Sequence, residues 1–360
     1  MSIEVEPKKI NYAFVDSLRF IAIITIVIEH SYLYPKTMYF SALGEQWIQT
    51  ITMQLFKFGT ITFYILAGFL IGDKIKNTTS LGYLKRRFQS TFKPWLFWLL
   101  FFLLLIYLNF MVIYVKKGQV AAFDRPFFGL FNQLYYIVFE TSFWFILNFL
   151  GSISILLIFK KHLYSLKLGL FLLVCSIFYS VNLYFGWIVT QHTTAILGFV
   201  CYLWLGVQLH KYYDVFQLWI KKQKIVVWIF LTVASFLFAC LESIYLLNSG
   251  IKVDPYNTLK VTNIIYSLAT FILLYRVGSL KWIEKLNPRS TTYGIHLIHF
   301  IIIAQIFPMI FNPLNIDAEG KTSLQLVGIQ YIRFVIAYLA SYAIVYIINK
   351  FDRIKWIVGQ

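Results

Sequence analysis

FKPWLFWLLFFLLLIYLNFMVIYV, residues 92–115, decides what kind of protein this is. After Lys93 no charged side chain occurs before Lys116, a run of 22 residues whose one strongly polar side chain is Asn109. A helix of that length reaches about 33 Å, enough to cross ~30 Å of hydrocarbon. Nine more stretches read the same way: 14–34, 51–72, 141–159, 166–185, 193–209, 225–247, 258–276, 291–311 and 326–349. The run 193–209 is the shortest, and 127–139 reads as interfacial. The sequence therefore predicts an all-α integral membrane protein, a bundle of about ten transmembrane helices. No internal repeat, low-complexity tract or loop of soluble-domain size divides it, so one membrane domain is expected over 1–360.

Composition points the same way. Hydrophobic residues make up 59% and charged residues 13%, whereas soluble domains run roughly 45–50% apolar and about a quarter charged. That excess cannot be hidden inside a 42.4 kDa globule, which excludes a soluble enzyme, a disordered chain and a disulfide scaffold. The 36 Phe, 25 Tyr and 10 Trp suit lipid-facing and interface-anchoring positions. Cys175, Cys201 and Cys240 lie inside apolar runs without paired spacing, so neither a disulfide framework nor a metal site is expected. The first run lacks an A-x-A cleavage site and carries Arg19, and reads as a retained helix.

A net charge of +17 in a soluble chain would suggest nucleic acid. Here the cations cluster between apolar runs and face lipid instead. With the N-terminus in the cytoplasm, 22 Lys and Arg fall in inner segments. Seven fall in outer ones: Lys36, Lys116, Lys117, Arg125, Lys252, Lys260 and Lys321. That bias predicts ten helices with both termini cytoplasmic.

Ionisable groups inside spans are costly and tend to line cavities or pair. The first span carries Asp16, Arg19, Glu29 and His30. Eleven residues separate Arg19 from His30, about 1100° of helical rotation, so both lie on one face some ~16 Å apart. Asp16 is placed to pair with Arg19 one turn away, while Glu29 points elsewhere. A histidine in such a cavity is mostly neutral at neutral pH and suited to general-base work. A second block, Lys85-Arg86-Arg87 followed by Lys93, is either an ordinary topology signal or an anion site for a phosphate-bearing donor.

With these residues in view, a family likeness emerges. Asp16-Ser17-Leu18-Arg19-Phe20-Ile21-Ala22 running to His30 as R-x10-H resembles the first helix of the acyltransferase 3 family of integral membrane O-acyltransferases, which act on surface or secreted glycans. Phe63–Ile71, FYILAGFLI, resembles that family's FF-x-x-SGFLI run, with Ala67 in place of Ser. Tyr83–Phe88, Phe143–Ile146 and Tyr293–His299 resemble its basic stretch, its WFL element and its YGIYLIH element. Where many members carry R-x-x-R, this chain has Ser90 three residues after Arg87.

The resemblance implies transfer of an acyl group, acetyl by preference, from cytoplasmic acyl-CoA to a hydroxyl of an envelope or exopolysaccharide sugar. It implies His30 as base with Arg19 as its companion, and Lys85, Arg86, Arg87 and Lys93 against the CoA phosphates. No permanently bound cofactor is implied. Glu140, Trp144, His192 and Glu242 sit at about the depth of His30, where a sugar could reach. His296 and His299 are open between structural and catalytic roles. Expected partners are the lipid bilayer, acyl-CoA, the glycan acceptor and polysaccharide-synthesis proteins, with no nucleic acid. The expected location is the inner or plasma membrane, crossed many times. The rival reading is a transporter or flippase of a lipid-linked or polymeric glycan, and a third is a structural partner in a synthesis complex.

Overall fold

The structure is a computed structural model describing residues 12–35, 37–75, 78–118, 121–124, 126–251, 253–311, 314 and 316–360. Six of the cations counted above, Lys8, Lys9, Lys36, Lys76, Arg125 and Lys252, lie outside the described residues. Helix accounts for 79% of the chain, and the described residues contain no strand.

In chain order the first helices are α1 (Ala13–His30), α2 (Leu43–Leu55), α3 (Gly59–Ile75), α4 (Ser80–Arg87) and α5 (Lys93–Lys117). Next come the short α6 (Ala121–Asp124), α7 (Pro126–Tyr135), α8 (Trp144–Ile158), α9 (Leu166–Phe185), α10 (Ile196–Lys211), α11 (Tyr213–Lys222) and α12 (Ile225–Asn248). The last are α13 (Val261–Val277), α14 (Lys281–Glu284), α15 (Pro288–Ile301), α16 (Phe307–Phe311) and α17 (Ser323–Ile348). Their ends follow local chemistry. Pro94 opens α5, where its missing N–H costs nothing, and Gly118 closes it in the left-handed conformation at φ 68°. Thr322 and Gln325 form a reciprocal capping box at the start of α17.

The paired helices α3 and α10 form the spine. A Cβ on Gly68 would stand 1.8 Å from the Leu203 carbonyl oxygen, and one on Gly206 2.0 Å from that of Ile65. Glycine is required at this crossing because the two backbones touch. Helix α1 runs beside the spine and packs on α3, α13, α15 and α17. By contrast α5 and α12 expose rows of Leu, Phe and Val, including Leu100, Leu104 and Leu108 on α5, as lipid-facing helices do.

Among the described residues six helical segments are long and apolar enough to cross a membrane, and a seventh arises if the pair 126–140 and 144–158, bent by 67°, counts as one span. The other three of the ten expected spans are also helical. Helix α1 carries three charges in its 18 residues, and α10 and α13 have 16 and 17 residues, short of the usual spanning length. The run 51–72 is two helices broken around Lys57, and α2 starts at Leu43, well before the apolar run. Gln46, Gln49, Thr50 and Gln54 explain that early start: they are buried, and they bond to Asn248, Met38, Tyr256 and Ser243. A polar helix is stable here because its partners are polar too.

Candidate active site

Two cavities of about 240 Å³ each meet the two ends of α1. At the Arg19 end, α1, α3, α8 and α15 close around a pocket that also receives the π-helical turn Phe88–Phe92. Three arginines line it, Arg19, Arg87 and Arg289, each from a different part of the chain. Arg19 donates from Nη1 to Asp16 Oδ1 at 2.8 Å, the local pairing expected one turn away. Arg87 is held one turn from Tyr83, donating from Nε (2.9 Å) and Nη2 (2.7 Å) to the Tyr83 hydroxyl. Three guanidiniums against the one carboxylate paired with Arg19 leave the pocket positive. The rest of its lining is largely apolar, with Phe63, Phe145, Ile146 and Phe149, and includes His296.

At the other end His30, the last residue of α1, lines a second pocket with Phe139, Glu140, Thr141, Ser142, Trp144, Gln191, His192 and Phe300. The π-helical turn Tyr136–Glu140 and the bend before α8 shape its floor. Trp144 stacks on His192 with centroids 5.1 Å apart, and Gln191 Nε2 donates to Glu140 Oε1 at 3.2 Å. A flat aromatic wall beside a carboxylate is a surface to which a sugar ring and its hydroxyls can bind.

A column of imidazoles joins the two pockets. His30 and His299 meet edge to edge, with centroids 5.2 Å apart and planes 11° from parallel, and the His299 ring centre lies 5.7 Å from that of His296. His30 Nδ1 is 2.9 Å from His299 Nε2, and His299 Nδ1 is 3.0 Å from the Ile295 carbonyl oxygen. The carbonyl oxygen can only accept, so in neutral His299 the proton sits on Nδ1 and Nε2 carries the lone pair. His30 Nδ1–H must then donate to His299. The lone pair of His30 is left on Nε2, free for a substrate proton. This assigns the tautomers from the hydrogen-bond network.

Other sequence-predicted residues fall elsewhere. Lys85 and Arg86 are exposed on α4 and do not line the arginine pocket. Lys93 is also exposed, its Nζ 4.3 Å from the centre of the Trp356 ring. Of that basic set only Arg87 lines the pocket. Glu242 stands apart from the His30 pocket, accepting from the hydroxyls of Tyr184 and Thr262 and 3.7 Å from Lys260 Nζ. Glu140, Trp144 and His192 do line that pocket. Glu29, next to His30, pairs with Lys57 at 2.6 Å, in the break between α2 and α3. Among the described residues no three His, Cys, Asp or Glu side chains are gathered as metal ligands would be.

Sequence reading missed Arg289. A signal existed: Arg289 and His296 are seven residues apart, two helical turns, and so share a face of α15.

A family model described as an acyltransferase domain matches residues 12–350, nearly the whole chain, and takes in both pockets. The chain belongs to the acyltransferase 3 family. No curated protein and no solved structure matches it. As a multi-pass membrane acyltransferase it has two polar pockets at opposite ends of one helix, joined through buried histidines.

Proposed function

We propose that this acyltransferase takes an acyl group, acetyl by preference, from cytoplasmic acyl-CoA and places it on a hydroxyl of an envelope or exopolysaccharide sugar. The observation that carries the reading is the His30–His299–Ile295 chain, which leaves His30 Nε2 as a lone pair in the second pocket. The proposal sets ten spans with both termini in the cytoplasm of the cell membrane, so that the arginine pocket faces acyl-CoA. Arg19, Arg87 and Arg289 hold its phosphates, and Phe63, Phe145 and Ile146 part to admit the pantetheine arm.

The acceptor hydroxyl lies between Trp144, Glu140 and His30. Its oxygen forms a bond to the thioester carbonyl carbon as its proton passes to His30 Nε2. The carbonyl electrons move onto oxygen and return, breaking the C–S bond. The leaving thiolate then takes the proton from His30, and CoA departs as the thiol. The rival reading, a glycan transporter, needs no base and no acyl-CoA.

Purified protein in nanodiscs, supplied with radiolabelled acetyl-CoA and the glycan fraction of a strain lacking the protein, tests the reading. His30→Gln keeps hydrogen bonding but cannot take the proton, and is expected to lower kcat by about 10²–10⁴-fold with donor binding intact. A fall of less than about tenfold would remove His30 from the base role.

A further inference from the structure

Ser142 occupies the bend between the π-helical turn that ends at Glu140 and the first turn of α8. It is 3% exposed, and its buried Oγ has no hydrogen-bond partner among the described residues. It lines the same cavity as His30. The neighbouring hydroxyl behaves differently: Thr141 Oγ1 donates to the Ile137 carbonyl oxygen at 2.5 Å and accepts from the Phe143 N–H at 3.3 Å. Of the two hydroxyls in this pocket, one is therefore committed to the fold and the other is free. A buried hydroxyl without a partner costs stability, and what sets Ser142 apart from the other such hydroxyls is that it lines the His30 cavity.

Acyl transfer offers that hydroxyl a partner. As the thioester is attacked its carbonyl oxygen becomes an oxyanion, which needs a donor already in place and shielded from water. The arginines cannot serve, since they line the other pocket. Nor is Ser142 placed as a nucleophile. A serine nucleophile needs its base within hydrogen-bonding reach, and no described group, His30 included, is that close to its Oγ. The two side chains line one cavity without a hydrogen bond between them.

We propose that Ser142 is a catalytic residue of the transfer, its Oγ–H donating to the acyl carbonyl oxygen as that oxygen becomes negative. This rests on the acyl-transfer reading above. Ser142 keeps its proton throughout, while the acceptor's proton goes to His30 Nε2 and then to the leaving thiolate. No acyl-serine forms.

Ser142→Ala and Ser142→Thr test it in the nanodisc assay, with acetyl-, succinyl- and butyryl-CoA as donors and the glycan fraction of the deletion strain as acceptor. The Ala variant is expected to lower kcat by about 10²–10³-fold, the usual effect of losing one oxyanion donor, with KM for both substrates within about threefold of the parent. Its Tm should equal or exceed the parent's, because an unpaired buried hydroxyl has been removed. Ser142→Thr keeps the hydroxyl and is expected to retain about a tenth or more of the activity, on the same scale. An Ala variant with parental kcat overturns the proposal. So does an Ala variant that melts earlier and fails to accumulate, which would make Ser142 structural. Detection by mass spectrometry of acyl-Ser142 after incubation with donor alone overturns it in favour of a covalent route. The parent assay separates the two levels. An active His30→Gln enzyme sinks the acyl-transfer mechanism itself, whereas an inactive His30→Gln with a fully active Ser142→Ala sinks only the role of Ser142.

Discussion

His30 is the last residue of a helix, a position that would normally leave an imidazole loose at an interface. His299 prevents that. Its Nδ1 is tied to Ile295, its Nε2 receives the proton of His30 Nδ1, and its side chain is fully buried. In the proposed mechanism it acts through His30, as a positioning residue. Losing the group that orients a general-base histidine costs up to about 10⁴-fold, so His299→Ala should reduce kcat by about tenfold or more while KM for acyl-CoA stays put. His299→Gln should recover part of the loss, because its amide oxygen can accept the His30 proton in the same direction. A histidine needed only for packing would give a different pattern, with Gln no better than Ala and less protein in the membrane.

At the scale of helices, the site depends on irregularities. The π-helical turns Phe88–Phe92, Tyr136–Glu140 and Ile302–Ile306 each adjoin a pocket or follow the histidine pair. Such turns often mark functional positions, because they shift the register of the side chains beyond them. The first brings Ser90 and Thr91 into the arginine pocket, and the second brings Glu140 beside His30. The arginines themselves come from α1, α4 and α15, so the arginine pocket exists only when those helices are assembled. Arg87→Ala combined with Arg289→Ala should weaken CoA binding by tenfold or more, at roughly 1.5–3 kcal/mol per lost charged hydrogen bond. Arg86→Ala, on an exposed position of the same helix, should leave it unchanged. Isothermal titration of CoA into nanodisc-held protein distinguishes them. Equal effects from Arg86 and from the Arg87–Arg289 pair would mean that charge near the surface matters and the pocket does not.

For the whole molecule, the direction of transfer depends on which face meets the cytoplasm. The proposed topology, which rests on the basic bias, has the α1 N-terminus, α4, the α11 region and the end of α17 on the inner side. In a background with Cys175, Cys201 and Cys240 replaced, Asp317→Cys should react with an impermeant maleimide added to intact cells. Lys222→Cys should react only after lysis. The reverse pattern would put the arginine pocket outside, away from acyl-CoA, and the proposed direction of transfer would fall. The close crossing of α3 and α10 at Gly68 and Gly206 fixes the frame around which both pockets form, so this topology is inherited by the site as a unit.

Much of this was legible in the sequence because it is local. Runs such as 94–115 can only be helices in a bilayer, since no other backbone satisfies its own hydrogen bonds within so short a segment. The alignment of Arg19 with His30 and the pairing of Asp16 with Arg19 follow from helical period alone. Partners distant along the chain were not legible. His30 meets His299 across 269 residues, and Glu29 meets Lys57 in a break that hydropathy reads as one continuous span. Lys85, Arg86 and Arg87 are equivalent as a charge run, yet the orientation of α4 sends Arg87 inward and leaves the other two exposed. Glu242 matches His30 in depth but is turned towards Tyr184, Thr262 and Lys260. Periodicity fixes which residues share a face of one helix. Only the packing of helices, set by contacts such as Gly68 on Leu203, decides which faces meet.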